Sequence, residues 1–362
     1  MTRPSKALID LAALRQNYLT AKNLHGARAL AVVKANAYGH GAVPCALALA
    51  DLADGFAVAF MAEALELRQA GITRPILVLE GCFDAHELIA AQTHQIWIAV
   101  HQTAQIDMIQ ASTSAPGSVC AWLKVDSGMH RAGFAPEAVK AAYQRLTACS
   151  AVESVTLMTH FARADEPNET ATADQIQAFE SATRDLPSER SLCNSAGVLA
   201  WPDAWRDWSR PGVLLYGASP LPAAFSAQHP EQKLLPVMTL QSEVFAVKTL
   251  QPGDALGYGG TFVAKRPTRV GLVAMGYADG YPRGVPTGTP VAIDGKPSRI
   301  VGRVSMDMLN VDLTELPEAG LGSRVELWGR HVDINDVAQR ANTIAYELLC
   351  NVKRVPREYI GQ

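Results

Sequence analysis

No apolar run in the 362-residue sequence is long and uninterrupted enough to cross a bilayer, which sets a membrane-spanning role aside. Long basic blocks are missing too. Lys+Arg number 32 against 35 Asp+Glu, a net charge of -3, and nothing resembles the electrostatic footprint of a nucleic-acid binder. Neither membrane nor nucleic acid is therefore expected as a partner. Cys-X-X-Cys pairs are absent: Cys45, Cys82, Cys120, Cys149, Cys193 and Cys350 are scattered. Reduced, buried thiols fit that scatter better than a disulfide framework or a zinc site, so no metal is expected. The N-terminal MTRPSKALIDL lacks the apolar core and small-residue cleavage site of a secretory signal, and the expected location is cytoplasmic. Low-complexity tracts and solenoid repeats are missing as well.

What is present reads as a globular enzyme. Hydrophobic residues make up 48% and charged residues 19% of a chain longer than one core usually organises, so a barrel-sized domain and a smaller one are expected. From residue 29 to about 215, β-rich apolar runs alternate with alanine- and leucine-rich stretches of helical period. The expected strands cover 29–34, 55–60, 75–80, 95–100, 118–126, 154–160, 190–194 and 206–210. Eight units point to an eight-stranded (β/α)8 TIM-like barrel, with a doubly wound open sheet as the alternative. The segment 61–70 reads as a helix with Ala62, Leu65 and Leu67 on its buried stripe and Gly71 as its left-handed stop. Beyond residue 225 the texture changes to short runs at 237–250, 268–275, 290–293, 298–304, 309–313 and 324–328, broken by Gly and Pro. These predict a mainly antiparallel β domain. The expected division is 10–225 and 226–362, the first few N-terminal residues being candidates to join the second part.

Barrels carry their chemistry at the C-terminal ends of strands. Lys34 falls there on the first strand, Lys124 and Asp126 on the fifth and His160 on the sixth. Asn194 and Ser195 follow the seventh, and Arg210 ends the eighth. A lone strand-end lysine is ordinarily a solvated cap, but a desolvated one becomes a Schiff-base nucleophile. Arg210-Pro211-Gly212-Val213 supplies Pro and Gly at the start of a short helix, where backbone N–H groups bind phosphate, and Ser195 could add a hydroxyl. Together these favour a phosphorylated aldehyde cofactor. Gly257-Tyr258-Gly259-Gly260 reads either as a tight turn presenting one phenol or as a hairpin with a packed tyrosine. GYADGYPR at 276–283 and VSMDM at 304–308 are candidate rim loops.

Taken together, AVVKANAYGHG, LKVDSGMHRAG, THFA, NSAG, RPGVLLYG, GYGGTF, GYADGYPR and VGRVSMDM resemble the alanine racemase family over essentially the whole chain. The resemblance implies an α/β barrel followed by a β domain, a head-to-tail homodimer, alanine as substrate and pyridoxal 5'-phosphate as cofactor. Lys34 would hold the cofactor and move the Cα proton on one face, and Tyr258 of the partner subunit would serve the other. Arg210 would meet the pyridine nitrogen, with His160 hydrogen-bonded to Arg210. Tyr38, Ser195, Gly212, Val213 and Tyr346 would hold the phosphate, and Asn194 belongs to the same cofactor set. Arg131 would meet the cofactor's phenolic oxygen and the substrate carboxylate, and Lys124 matches a lysine that relatives carry N-carboxylated. Met306 would offer its backbone N–H to the substrate carboxylate, Asp307 and Tyr277 would lie beside Tyr258, and Arg283, Arg303 and Asp165 would line an access corridor. The alternatives are a decarboxylase on the same two-domain plan, a noncatalytic cofactor carrier, and a racemase of another small amino acid such as serine. The direction of use, biosynthetic or catabolic, stays open.

Overall fold

The computed structural model describes residues 3–112 and 115–361. After a first strand β1 (Lys6–Asp10), eight strands alternate with helices: β2 (Arg28–Val32), β3 (Gly55–Val58), β4 (Ile76–Val78), β5 (Trp97–Val100), β6 (Val119–Lys124), β7 (Val152–Met158), β8 (Arg190–Ser191) and β9 (Trp208–Ser209). All eight lie within or beside the expected windows. Their order in the sheet is β8-β7-β6-β5-β4-β3-β2-β9, with every pairing parallel. Sequential neighbours all the way round are the signature of a barrel, whereas a doubly wound sheet reverses at a switch point. The last seam is closed without a ladder: Ser191 Oγ donates to Trp208 O at 2.9 Å and the Arg210 amide to Cys193 O at 2.9 Å.

Strands buried on both faces must be apolar throughout, and β2, β3, β4 and β5 are near-continuous apolar runs. Three tryptophans fill the interior. The Trp97 and Trp122 rings stack at 5.9 Å, and Trp208 meets Trp97 edge-on at 5.6 Å. Trp97 and Trp208 stand at the first residues of their strands, so the cluster plugs the barrel away from the strand ends that carry Lys34 and Arg210. The outer helices are ended by local chemistry. Helix Leu11–His25 is opened by Asp10, whose side chain accepts from Ala13 N, and stopped by Gly26 at φ 73°. Helix Met61–Gln69 runs to a left-handed Gly71 as expected, but its buried stripe is Met61, Ala64 and Leu67, and Ala62 is exposed. The larger Met61 side chain sets the rotation, because Ala62 has too little apolar surface to compete.

The remaining strands follow the barrel: β10 (Met238–Leu250), β11 (Ala255–Leu256), β12 (Phe262–Val263), β13 (Thr268–Val273), β14 (Pro290–Ile293), β15 (Lys296–Arg299), β16 (Leu309–Asp312), β17 (Arg324–Trp328) and β18 (Arg357–Ile360), of which β11 and β12 pair with each other as a separate hairpin and the rest join β1 in a second sheet. The long β10 is the spine, pairing antiparallel with β1, β13 and β17. β1 pairs antiparallel with β10 and parallel with β18, so both ends of the chain are strands of this second sheet. The run expected at 298–304 forms a strand only to Arg299, followed by a single bridge from Ile300 to Val311. No helix of the described residues is long and apolar enough to cross a membrane.

Candidate active site

Strand β2 ends at Val32, two residues before Lys34, and the chain then enters a left-handed turn: Ala35, Asn36, Ala37 and Tyr38 have φ of 52°, 55°, 53° and 49°. L-residues pay about 1–2 kcal/mol each for that region, so four in succession persist only under external restraint. The restraints are visible. Glu63 accepts from the Ala35 amide at 2.7 Å and from the Ala59 and Phe60 amides with its other oxygen. Asn36 Oδ1 accepts from Ala42 N at 2.8 Å. Gly39 closes the turn at φ 83°, where an added Cβ would lie 2.1 Å from Leu349 O. The result sets Lys34 at one end of the turn and Tyr38 at the other. Burial pushes the Lys34 amine below the ordinary lysine value, Glu80 opposes that shift and Arg131 reinforces it. A desolvated amine of lowered pKa is a nucleophile toward an aldehyde.

Beside Tyr38 lies a candidate anion cradle. Ser195 Oγ accepts from the Gly212 amide at 2.8 Å and the Leu214 amide at 3.4 Å, where the short 3-10 turn Val213–Tyr216 begins. An added Cβ on Gly212 would stand 2.6 Å from the Tyr38 hydroxyl, so a glycine is required for the backbone and the phenol to share the site. The Tyr346 ring lies 6.0 Å from that of Tyr38, and burial raises its hydroxyl to about 12, which keeps it a neutral donor. Hydroxyls and backbone amides gathered round one point, a few residues from a primed amine, fit a phosphorylated aldehyde. Asn194 has a local duty: its Oδ1 accepts from Gly197 N at 3.0 Å and caps helix Ser195–Ala200, which orients Ser195.

The floor of the mouth is strongly basic. Arg210 is buried, and its Nη1 donates to Ser191 O at 2.9 Å and to Ser191 Oγ, while its Nη2 donates to the carbonyls of Thr159 at 2.5 Å and Leu192 at 3.3 Å. Carbonyls and Ser191 hold this guanidinium, where the expected partner was His160; a backbone clamp serves because strands β7 and β8 end beside it with free acceptors. Among the described residues its Nε–H has no protein partner. Burial lowers Arg210 to about 10, so it stays charged at neutral pH. His160 is driven well below its usual value by burial, with Arg210, Lys124 and Arg131 adding to the effect, and is a neutral imidazole. Lys124 is buried and lowered, first by desolvation; Glu80 opposes this, and Arg131, Arg210 and Lys34 reinforce it. Arg131 is exposed at the rim.

Tyr258 is elsewhere. It is 68% exposed in the turn joining β11 to β12, with Gly257 and Gly259 at φ 68° and 72°, and among the described residues no hydrogen bond or ring contact ties it to the barrel. Met306 (53%), Tyr277, Asp307 and Arg303 are exposed as well, and the Arg303 guanidinium lies against Gly259 of the Tyr258 turn. The Tyr277 and Met306 loops are fused through their backbones, with Tyr277 N donating to Ser305 O at 3.1 Å and Ala278 N to Met306 O at 3.0 Å. Arg283 and Asp165 are also exposed.

Two family models cover nearly all of this architecture: the alanine racemase N-terminal domain at residues 9–220 and the alanine racemase C-terminal domain at 237–359. The chain belongs to the alanine racemase family. Its membership makes it an amino-acid isomerase and removes the decarboxylase and carrier readings, since both domains match. It is 64% identical to the alanine racemase of Azoarcus sp. (strain BH72) over 360 residues, 99% of this chain and 100% of the relative. It is 56% identical to the catabolic alanine racemase of Pseudomonas putida, over 99% of this chain and all of the relative. A crystal structure of the biosynthetic alanine racemase from Pseudomonas aeruginosa superposes with a TM-score of 0.94 at 45% identity, covering 99% of this chain and 100% of that one.

For this alanine racemase family member, the structure brings Lys34, Tyr38, Lys124, Arg131, His160, Ser195, Arg210, Gly212, Val213 and Tyr346 to one barrel mouth, and leaves Tyr258, Tyr277, Met306 and Asp307 exposed in the turns and loops that follow the barrel. Sequence reasoning passed over Glu63, Ser191 and His40, which hold the functional groups rather than act themselves. Of these, only His40 left a trace, inside the AVVKANAYGHG motif.

Proposed function

We propose that this chain interconverts L- and D-alanine with pyridoxal 5'-phosphate held on Lys34, and that it works as a homodimer whose active sites are shared between subunits. The observation that carries this reading is the placement of a desolvated Lys34 amine and the Ser195–Gly212–Leu214 phosphate cradle at the two ends of one left-handed turn. The exposed Tyr258 on the β11–β12 turn, with no hydrogen-bond partner among the described residues, supports the shared site. When bound, the cofactor supplies an electron sink that acidifies the substrate Cα–H.

The chain's own residues do the rest. Tyr38, Ser195, Tyr346 and the amides of Gly212 and Val213 hold the phosphate. The Nη groups of Arg210 are spent on Ser191, Thr159 and Leu192, which leaves Nε–H to face the ring nitrogen and discourage its protonation. Arg131 and the Met306 amide bind the substrate carboxylate. Lys34 Nζ moves the Cα proton on one face and Tyr258 Oη of the partner subunit on the other, with Tyr277 and Asp307 beside it. Racemisation follows because removal and return occur on opposite faces. Lys124, neutral more readily than an ordinary lysine, takes up carbon dioxide as a carbamate with loss of a proton, and the resulting anion pairs with Arg131. Relatives carry both catabolic and biosynthetic names, and one reversible catalyst serves either direction.

The test is incubation of the purified protein and cofactor with L-alanine in deuterated water. Convergence to equal amounts of the two enantiomers, each deuterated at Cα, is expected; carbon dioxide release or no exchange would reject the reading. A parallel serine reaction measures strictness toward the side chain.

A further inference from the structure

The turn that aims Lys34 is held from outside the barrel. Arg357, on β18 of the second sheet, donates from Nε to Gly39 O at 2.6 Å and from Nη2 to Val352 O at 3.1 Å. No carboxylate pairs with this guanidinium among the described residues; its bonds go to backbone. Two residues on, the Tyr359 hydroxyl donates to His40 O at 3.1 Å. From the inside, His40 Nδ1 lies 2.9 Å from Ala37 O and 3.0 Å from Tyr38 O. Both neighbours are acceptors, so Nδ1 carries the proton and donates to them. The His40 ring stacks on Tyr216 at 4.5 Å, and the Tyr216 hydroxyl donates to Val32 O at 2.9 Å, at the end of the strand that leads into Lys34. Among the described residues His40 Nε2 is buried with no partner, a cost that the Nδ1 bonds and the stack offset.

We propose that Arg357 and His40 are positioning residues for the cofactor lysine, clamping the Ala35–Tyr38 turn from its two sides so that Lys34 and Tyr38 keep their relative placement. This rests on the reading that Lys34 carries the cofactor. Neither residue touches the reacting atoms. Without Arg357 the carbonyl of Gly39 loses its second-sheet anchor, and the left-handed residues are free to relax toward the right-handed region. The amine and the phosphate-binding phenol then move apart together. Nothing in the motif shows this, because Arg357 lies more than three hundred residues from the turn that it holds.

Arg357→Met, Arg357→Lys, His40→Phe and His40→Asn are compared with the wild type and with Glu358→Ala, an exposed neighbour on the same strand whose side chain pairs with Lys6. The readouts are the dissociation constant of pyridoxal phosphate from the full-length protein, the pH midpoint of the bound cofactor's visible absorption, and kcat and KM at saturating cofactor. Arg357→Met and His40→Phe are expected to weaken cofactor binding by about 10- to 100-fold, the range for one lost hydrogen bond with a charged or buried partner. They are also expected to shift the pH midpoint and to lower kcat more than they raise KM. Arg357→Lys and His40→Asn, which keep a donor, recover part of each loss, and Glu358→Ala matches the wild type. Lower thermal stability with unchanged cofactor affinity, pH midpoint and kcat would overturn the proposal. Should Arg357→Met not fold, the His40→Phe and His40→Asn pair decides: wild-type affinity and midpoint in the phenylalanine variant reject the clamp. Borohydride reduction of the wild type, followed by peptide mapping, separates this from failure of the underlying reading, since a label absent from Lys34 would reject that assignment itself.

Discussion

Ser195 Oγ accepts from the Gly212 amide at 2.8 Å and from the Leu214 amide at 3.4 Å, tying together two backbone donors that a helix start otherwise leaves to water. Ser195 is itself placed by the Asn194 cap, so two consecutive layers of hydrogen bonding lead from that helix terminus to the start of the Val213–Tyr216 turn.

On the proposed reading, Ser195→Ala should weaken pyridoxal phosphate binding by about tenfold while leaving the fold intact, because one hydroxyl is lost while Tyr38, Tyr346 and the Val213 amide remain. Gly212→Ala should do more harm, since its Cβ would meet the Tyr38 hydroxyl at 2.6 Å. Cofactor titration of the two variants measures both; a smaller effect for Gly212→Ala than for Ser195→Ala would contradict the shared-site geometry.

Lys34→Ala should abolish the covalent cofactor spectrum and racemisation together. An unchanged spectrum in the purified variant would remove Lys34 from its role.

Lys34→Ala and Tyr258→Phe dimers, each inactive alone, should recover activity after their subunits are mixed. Half the dimers would be hybrids with one intact shared site, giving roughly a quarter of the wild-type rate. If mixing restores nothing while native mass spectrometry shows hybrids, Tyr258 does not act across the interface.

His40 titrates near 4, pushed down by burial against the opposing pull of its bonds to the Ala37 and Tyr38 carbonyls. Between pH 6.5 and 4 the unfolded chain takes up a proton that the folded chain does not. Stability is complete above pH 6.5 and is lost as the pH falls through that window, by about 3 kcal/mol for this residue. Chemical denaturation at pH 7.5 and 5 should show the loss, and His40→Asn should show less of it. An equal pH dependence in both proteins would mean that His40 is not buried neutral.

Lys124 should carry added carbon dioxide, visible as branched density on Nζ, and activity should fall after bicarbonate is removed and return on its addition. A free amine at high resolution would exclude the carbamate.

The barrel was legible in the chain because strands covered on both faces must be apolar and each is followed by a helix of recognisable period. Counting those units reached eight, and the second sheet showed itself through short runs broken by Gly and Pro. Motifs located Lys34, Ser195, Arg210 and Tyr258, because reactive side chains at strand ends and glycine turns are local features. The tertiary structure alone decided what holds them. Helix rotation at Met61–Gln69 went to the larger side chain, and Arg210 found carbonyls of two strands in place of His160. The left-handed turn at Ala35–Tyr38 has no sequence signature, for it contains no glycine until Gly39 and is held by Glu63 and Arg357, which arrive from other elements, and by His40 folding back on it. Short-range chemistry is written in neighbouring residues, whereas a strained backbone is stabilised by contacts made across the fold.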